Sequence, residues 1–111
     1  EEALKDIISN SRPKEITVNS IKEVISKSFN VKVEDFNSKK RTRAIAYPRQ
    51  VAMYLCRELT DLSLPKIGDE FGGRDHTTVI HAYDKISADV NNNSEFKRKL
   101  EDIVKEIKGD N

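Results

Sequence analysis

One cysteine, no tryptophan, three prolines and four glycines leave this 111-residue chain with little of what builds disulfide scaffolds, aromatic cages or loop-rich folds. The single cysteine, Cys56, has no partner in the chain for a disulfide and fits a reducing compartment such as the cytoplasm. It follows Val51-Ala52-Met53-Tyr54-Leu55, so a buried structural thiol is expected rather than a nucleophile. No apolar stretch approaches the roughly 18 residues that suggest a membrane span, and no secretion-signal pattern is present. There is no Gly-x-x-x-x-Gly-Lys-Ser/Thr loop for a nucleotide triphosphate. No Cys or carboxylate cluster has zinc-ligand spacing. An enzyme could use Gly72-Gly73 as a phosphate cradle and His76 or His81 as a base. Those histidines are five residues apart, about 140° around a helix, and so do not converge. Catalysis and metal chemistry are therefore not expected. The first residue is Glu rather than Met, which fits a piece of a longer protein.

What is present is an unevenly distributed charge. The net charge of +1 hides three different segments. Residues 1–35 carry six basic and seven acidic side chains, a net −1; residues 36–57 carry six basic and none acidic, a net +6; residues 58–111 carry eight basic and twelve acidic, a net −4. Positive charge gathered in one short segment is the footprint of a polyanion-binding surface, although a merely solvated basic loop has the same composition.

The apolar spacing is helical throughout, with no strand-like alternation, internal repeat or low-complexity tract, and the fold expected is all-α. Leu4, Ile7 and Ile8 predict a short helix over residues 1–12, broken by Pro13 and readable as a connector or linker (residues 1–14) ahead of a domain over 15–111. Its weak amphipathic surface has too few apolar residues to argue for acidic membrane lipid. Thr17 or Asn19 can cap a helix running to about Ser28, with Ile21, Val24, Ile25 and Phe29 as its inward stripe. Val31, Val33 and Phe36 suggest a short helical turn. Residues 38–43, Ser38-Lys39-Lys40-Arg41-Thr42-Arg43, lack apolar anchors and read as an exposed basic loop. Pro48 suits the first turn of a helix over about 48–60, with Val51, Met53, Tyr54, Leu55 and Leu59 buried and Arg49, Gln50 and Arg57 exposed.

Residues 63–90 are the informative part. Ser63 can cap a short helix opening at Leu64-Pro65, with Ile67 and Phe71 inward, and Gly72-Gly73 stops it. Asp75 can then cap the amides of a second helix (75–89), whose apolar residues 79, 82, 83, 86 and 90 form one face with Thr77, His81, Asp84 and Ala88 opposite. A last helix, about 94–108, packs through Phe96, Leu100, Ile103, Val104 and Ile107. Two short helices around a glycine turn, the second opening on small polar residues, form a helix-turn-helix pattern. Asp75 can accept from a cytosine amino group, a Thr77 methyl can meet a thymine methyl, and His76 can bond a purine edge. Thr78, one step off that face, can reach a phosphate. The bland alternative is an ordinary N-cap followed by solvated polar residues, but it leaves the +6 segment unexplained. Phosphate neutralisation and an arginine in a narrow minor groove would explain it.

The run Gly72-Gly73-Arg74-Asp75-His76-Thr77-Thr78-Val79-Ile80-His81-Ala82 resembles the signature of the C-terminal DNA-binding domain of the bacterial DnaA replication initiators. The resemblance extends through Lys40-Arg41-Thr42-Arg43, Pro48-Arg49-Gln50 and Ser63-Leu64-Pro65-Lys66-Ile67-Gly68, over about residues 15–108. It implies a Trp repressor-like helical bundle that binds double-stranded DNA as a monomer on each asymmetric DnaA box, of the type TTATNCACA, at the replication origin on the nucleoid. It implies Arg41 as minor-groove reader, with Pro65, Asp75, His76 and Thr77 on bases in the major groove. Lys39, Arg43, Arg49, Gln50, Arg57, Leu64 (through its backbone), Thr78 and, more weakly, Lys85 would hold phosphates. Tyr47 stands where relatives often carry a basic residue, so one backbone contact is expected to be missing. The resemblance implies that ATP, Mg²⁺ and self-assembly belong to an upstream AAA+ domain of the parent protein, and no cofactor is expected for this segment. Two other binding modes stay open: a domain whose basic loop meets an acidic protein, and an unrelated regulator that dimerises on palindromes, for which the sequence shows no extra apolar seam.

Overall fold

The structure, a computed structural model, describes residues 16–39 and 42–109. The connector over residues 1–14, Lys40 and the proposed minor-groove reader Arg41 lie outside the described residues. Within them the chain forms five α-helices and one 3₁₀ helix, with no strand, in agreement with the all-α expectation.

Helix α1 spans Val18–Phe29, and the choice of cap falls on Thr17. Its hydroxyl accepts from the Ser20 amide while the Ser20 hydroxyl accepts from the Thr17 amide, a reciprocal pair that satisfies two helix-end donors. Asn30 closes the helix in the left-handed conformation. The expected turn around Phe36 is a 3₁₀ helix over Val33–Asn37. Phe36 is fully enclosed and meets Phe71 edge to face, their ring centroids 6.4 Å apart.

Helix α2 spans Arg43–Leu59 and begins five residues before the expected start, so Pro48 lies inside it and the basic loop ends at Thr42. A proline within a helix forfeits one backbone hydrogen bond. Here Val51, Ala52, Met53, Leu55 and Cys56 are buried behind it, and each large apolar side chain so enclosed contributes roughly 1.5–3 kcal/mol. Burial of that stripe outweighs the lost bond. The Cys56 thiol is enclosed as expected, and burial pushes it up to about 12, which keeps it protonated and unreactive at neutral pH.

Helices α3 (Leu64–Glu70) and α4 (His76–Asn92) form the helix-turn-helix. Ser63 caps α3 by accepting from the Lys66 amide at 3.3 Å. The turn holds Gly72 at φ +86° and Gly73 at φ +77°, a conformation side chains resist. Space adds a second reason at Gly72, because a Cβ there would stand 2.7 Å from the Asn37 carbonyl oxygen. Val79, Ala82 and Ile86 on α4 are buried against α2 and α3. Helix α5 (Ser94–Lys108), capped by Asn93, closes the bundle against α1 and α4 through Leu100, Ile103 and Ile107. None of the described helices is long and apolar enough to cross a membrane.

Candidate nucleic-acid interface

The tip of α4 is built so that its apolar residues are anchored and its polar ones are not. Val79 is completely enclosed, whereas Asp75, His76, Thr77 and Thr78 are all exposed. Asp75 occupies the N-cap position with extended backbone, but its carboxylate makes no capping bond, contrary to expectation. It turns instead to its neighbours. The Thr77 hydroxyl donates to Asp75 Oδ2 at 2.8 Å, and His76 Nδ1 lies 3.2 Å from Asp75 Oδ1. The Thr77 hydroxyl is the main cause holding the Asp75 carboxyl below its ordinary range, so it carries full charge at neutral pH. The three proposed base-reading side chains are thus gathered around one carboxylate and already ordered relative to one another. Pro65, the fourth, is exposed in the first turn of α3, while Leu64 beside it is half-buried.

The basic residues divide. Lys39, Arg43, Arg57 and Lys85 are exposed, and Gln50 is half-buried. Arg43 and Lys85, from different helices, stand over the ring of Tyr47 at 5.3 and 5.7 Å from its centroid. The Tyr47 hydroxyl donates to Asp89 at 2.8 Å, and burial followed by that bond raises its pKa. Lys85 also lies 3.7 Å from Asp89. Tyr47 therefore assembles two of the proposed phosphate-binding cations around its ring.

Arg49 departs from expectation: it is 6% exposed. Its Nη2 donates to the carbonyls of Asp35 at 3.5 Å and Ser38 at 3.4 Å, where the 3₁₀ helix ends. The reason lies in its register, since Ala52, Met53 and Cys56, three, four and seven residues on, share its helical face and are buried. Lys22 shows the same pattern between Val18 and Ile25. Its ammonium donates to Asn37 Oδ1 at 3.0 Å and to the Glu70 carbonyl, over the face of Phe71. Arg74, read from the sequence only as part of the helix opening, donates Nη2 to the Ser38 carbonyl at 2.6 Å and Nη1 to the Phe71 carbonyl. Sequence reasoning missed Lys22 and Arg74 as structural cations. For Lys22 the signal was its place on an apolar stripe; for Arg74 no local pattern marks it.

Among the described residues no group of three or more His, Cys, Asp or Glu side chains could hold a metal ion. His76 and His81 both point to solvent from α4. Over the larger part of the chain, residues 18–86 fit the family model described as the bacterial dnaA protein helix-turn-helix. The matched range runs from the start of α1 to the middle of α4, and so takes in the basic segment, the glycine turn and the polar tip together.

Proposed function

The chain belongs to the bacterial DnaA helix-turn-helix family, a family of DNA-binding domains of replication initiation, and from that membership we propose that it reads the asymmetric DnaA box of the replication origin, of the type TTATNCACA. The observation that carries this reading is the ordered polar tip of α4, with Asp75, His76 and Thr77 exposed in front of a buried Val79. In the major groove Asp75 accepts from a cytosine amino group of the CACA half, Thr77 meets a thymine methyl and His76 bonds a purine edge. Pro65 packs against a further thymine methyl. The basic loop runs along the minor groove of the A/T-rich half, where Arg41 reads the narrow, strongly negative groove.

Lys39, Arg43, Gln50, Arg57, Thr78, Lys85 and the backbone of Leu64 hold phosphates and fix the register without reading sequence. Arg49, nearly enclosed, reaches a phosphate only by its small exposed edge. One chain occupies one box, because the box has no two-fold symmetry for a pair to match. The place of action is the nucleoid, in the cytoplasm. This mode of reading needs no cofactor.

Fluorescence anisotropy of the chain on a TTATNCACA duplex and on a shuffled duplex at one physiological salt concentration tests the proposal. Specific binding should exceed non-specific binding by about 10³-fold, the low end for sequence-reading domains. Equal affinity for the two duplexes would sink it. Sedimentation of the single-box complex should give one chain per duplex; two chains would favour the dimeric regulator instead.

A further inference from the structure

Arg74 joins two segments that lie far apart in the chain. Its Nη1 donates to the carbonyl of Phe71, at the end of α3, and its Nη2 donates to the carbonyl of Ser38, 36 residues away, at 2.6 Å. Ser38 ends the 3₁₀ helix and is the residue from which the basic loop departs. Arg74 itself immediately precedes Asp75, the first residue of the polar tip. The two backbones also touch nearby, since Gly72 has no room for a side chain against the Asn37 carbonyl. Arg49 donates to the same Ser38 oxygen at 3.4 Å, and Lys22 joins Asn37 to Glu70 across the same seam.

We propose that Arg74 is a positioning residue that holds the root of the basic loop in register with the tip of α4. The two halves of one DNA site are then read by a single rigid unit. This rests on the two-groove reading above. A planar guanidinium can donate to two carbonyls at once in a fixed fork, which a lysine ammonium does less well as a point charge on a flexible stem. Both acceptors are carbonyls at helix ends, where oxygens carry excess partial negative charge. Half-burial raises the strength of such charge-assisted bonds. A loop fixed at its root loses less conformational entropy on binding than one that must find the groove from a free anchor. Arg74 needs no contact with DNA for this, and its effect falls on the half of the site that the loop reads.

The test compares wild type, Arg74→Gln and Arg74→Lys on three duplexes at fixed salt: the intact box, the box with its TTAT half replaced by G/C pairs, and the box with its CACA half replaced. Wild type should lose affinity for both altered duplexes. Each variant should lose about tenfold of its discrimination at the TTAT half while keeping that at the CACA half. Both should melt below wild type yet stay folded at the assay temperature. Arg74→Lys is the decisive variant, because it keeps the positive charge and breaks only the fork. Arg74→Lys discriminating as wild type does at both halves, equal losses at both halves, or melting of both variants below the assay temperature would each overturn the proposal. If wild type itself ignored both replacements, the box-reading function would fall first and separately.

Discussion

Two sets of cations surround the helix-turn-helix, and they do different work. Lys39, Arg43, Arg57 and Lys85 project into solvent, where a phosphate can meet them. Lys22, Arg49 and Arg74 point inward and hold backbone carbonyls where α1, the 3₁₀ helix, α2 and α3 come together. A count of +6 in the segment 36–57 does not distinguish the two sets, because Arg49 is counted with the exposed residues. The first set should show itself in the salt dependence of binding, the second in stability and in the placement of the loop.

Both sets hang from one core, and breaking that core has the largest expected effect. Val79→Asp places a charge in a fully enclosed position without a partner, at a cost of several kcal/mol against a total domain stability of about 5–15 kcal/mol. Far-UV circular dichroism should show loss of helix and DNA binding should disappear. Retained helix would mean that the α4 seat is looser than Val79 suggests.

Arg49→Met and Arg43→Met set one cation of each kind against the other. Arg49→Met takes a charged donor from the Asp35 carbonyl and leaves the Ser38 carbonyl with Arg74 as its remaining guanidinium donor, and should destabilise by about 1–3 kcal/mol in urea denaturation. Arg43→Met, at an exposed position, should stay within about 0.5 kcal/mol of wild type. The order reverses in binding: Arg43→Met should reduce the log–log salt slope by about 0.9, the loss of one phosphate contact, and Arg49→Met by clearly less. Equal slopes for the two variants would erase the distinction. Thr77→Ala probes the reading residues that neither set of cations supplies. It should cost about 1–3 kcal/mol on the intact box and little on shuffled DNA. An equal loss on both would remove Thr77 from base reading.

How much of this the sequence discloses depends on the range of the interaction. Helix periods, the cap at Ser63 and the glycine stop at residues 72 and 73 are local, so composition and spacing reveal them, and they narrow the first cap to Thr17 or Asn19. Membership of the family followed from one contiguous stretch of sequence. The start of α2 did not, because Pro48 carries a strong local signal for a first turn and burial of residues 51–56 overrides it. Asp75 likewise sits in a capping position, yet its carboxylate answers to Thr77 and His76. The cation seam was the least legible. Its bonds span 15, 36 and 48 residues, and their acceptors are mostly backbone carbonyls, which have no side-chain identity to read.

Tyr47 bears on the exposed set alone, through Arg43 and Lys85, and the smallest expected effect falls there. Tyr47 offers a ring face, and Arg43 and Lys85 both stand over that face. The ring gathers two cations, Arg43 from its own helix and Lys85 from α4. Tyr47→Leu keeps apolar contact with Phe96, 5.9 Å away ring to ring in the native chain, while removing the ring face and the hydroxyl bond to Asp89. Each exposed cation–π contact is worth about 0.5–1 kcal/mol, so non-specific DNA affinity should fall about two- to fivefold as Arg43 and Lys85 lose their common anchor. Freed Asp89 also pairs more fully with Lys85, which pushes in the same direction. Unchanged or stronger binding by Tyr47→Leu would show that the ring restrains these cations without aiming them at a phosphate. Arg43 and Lys85 would then act as separate charges.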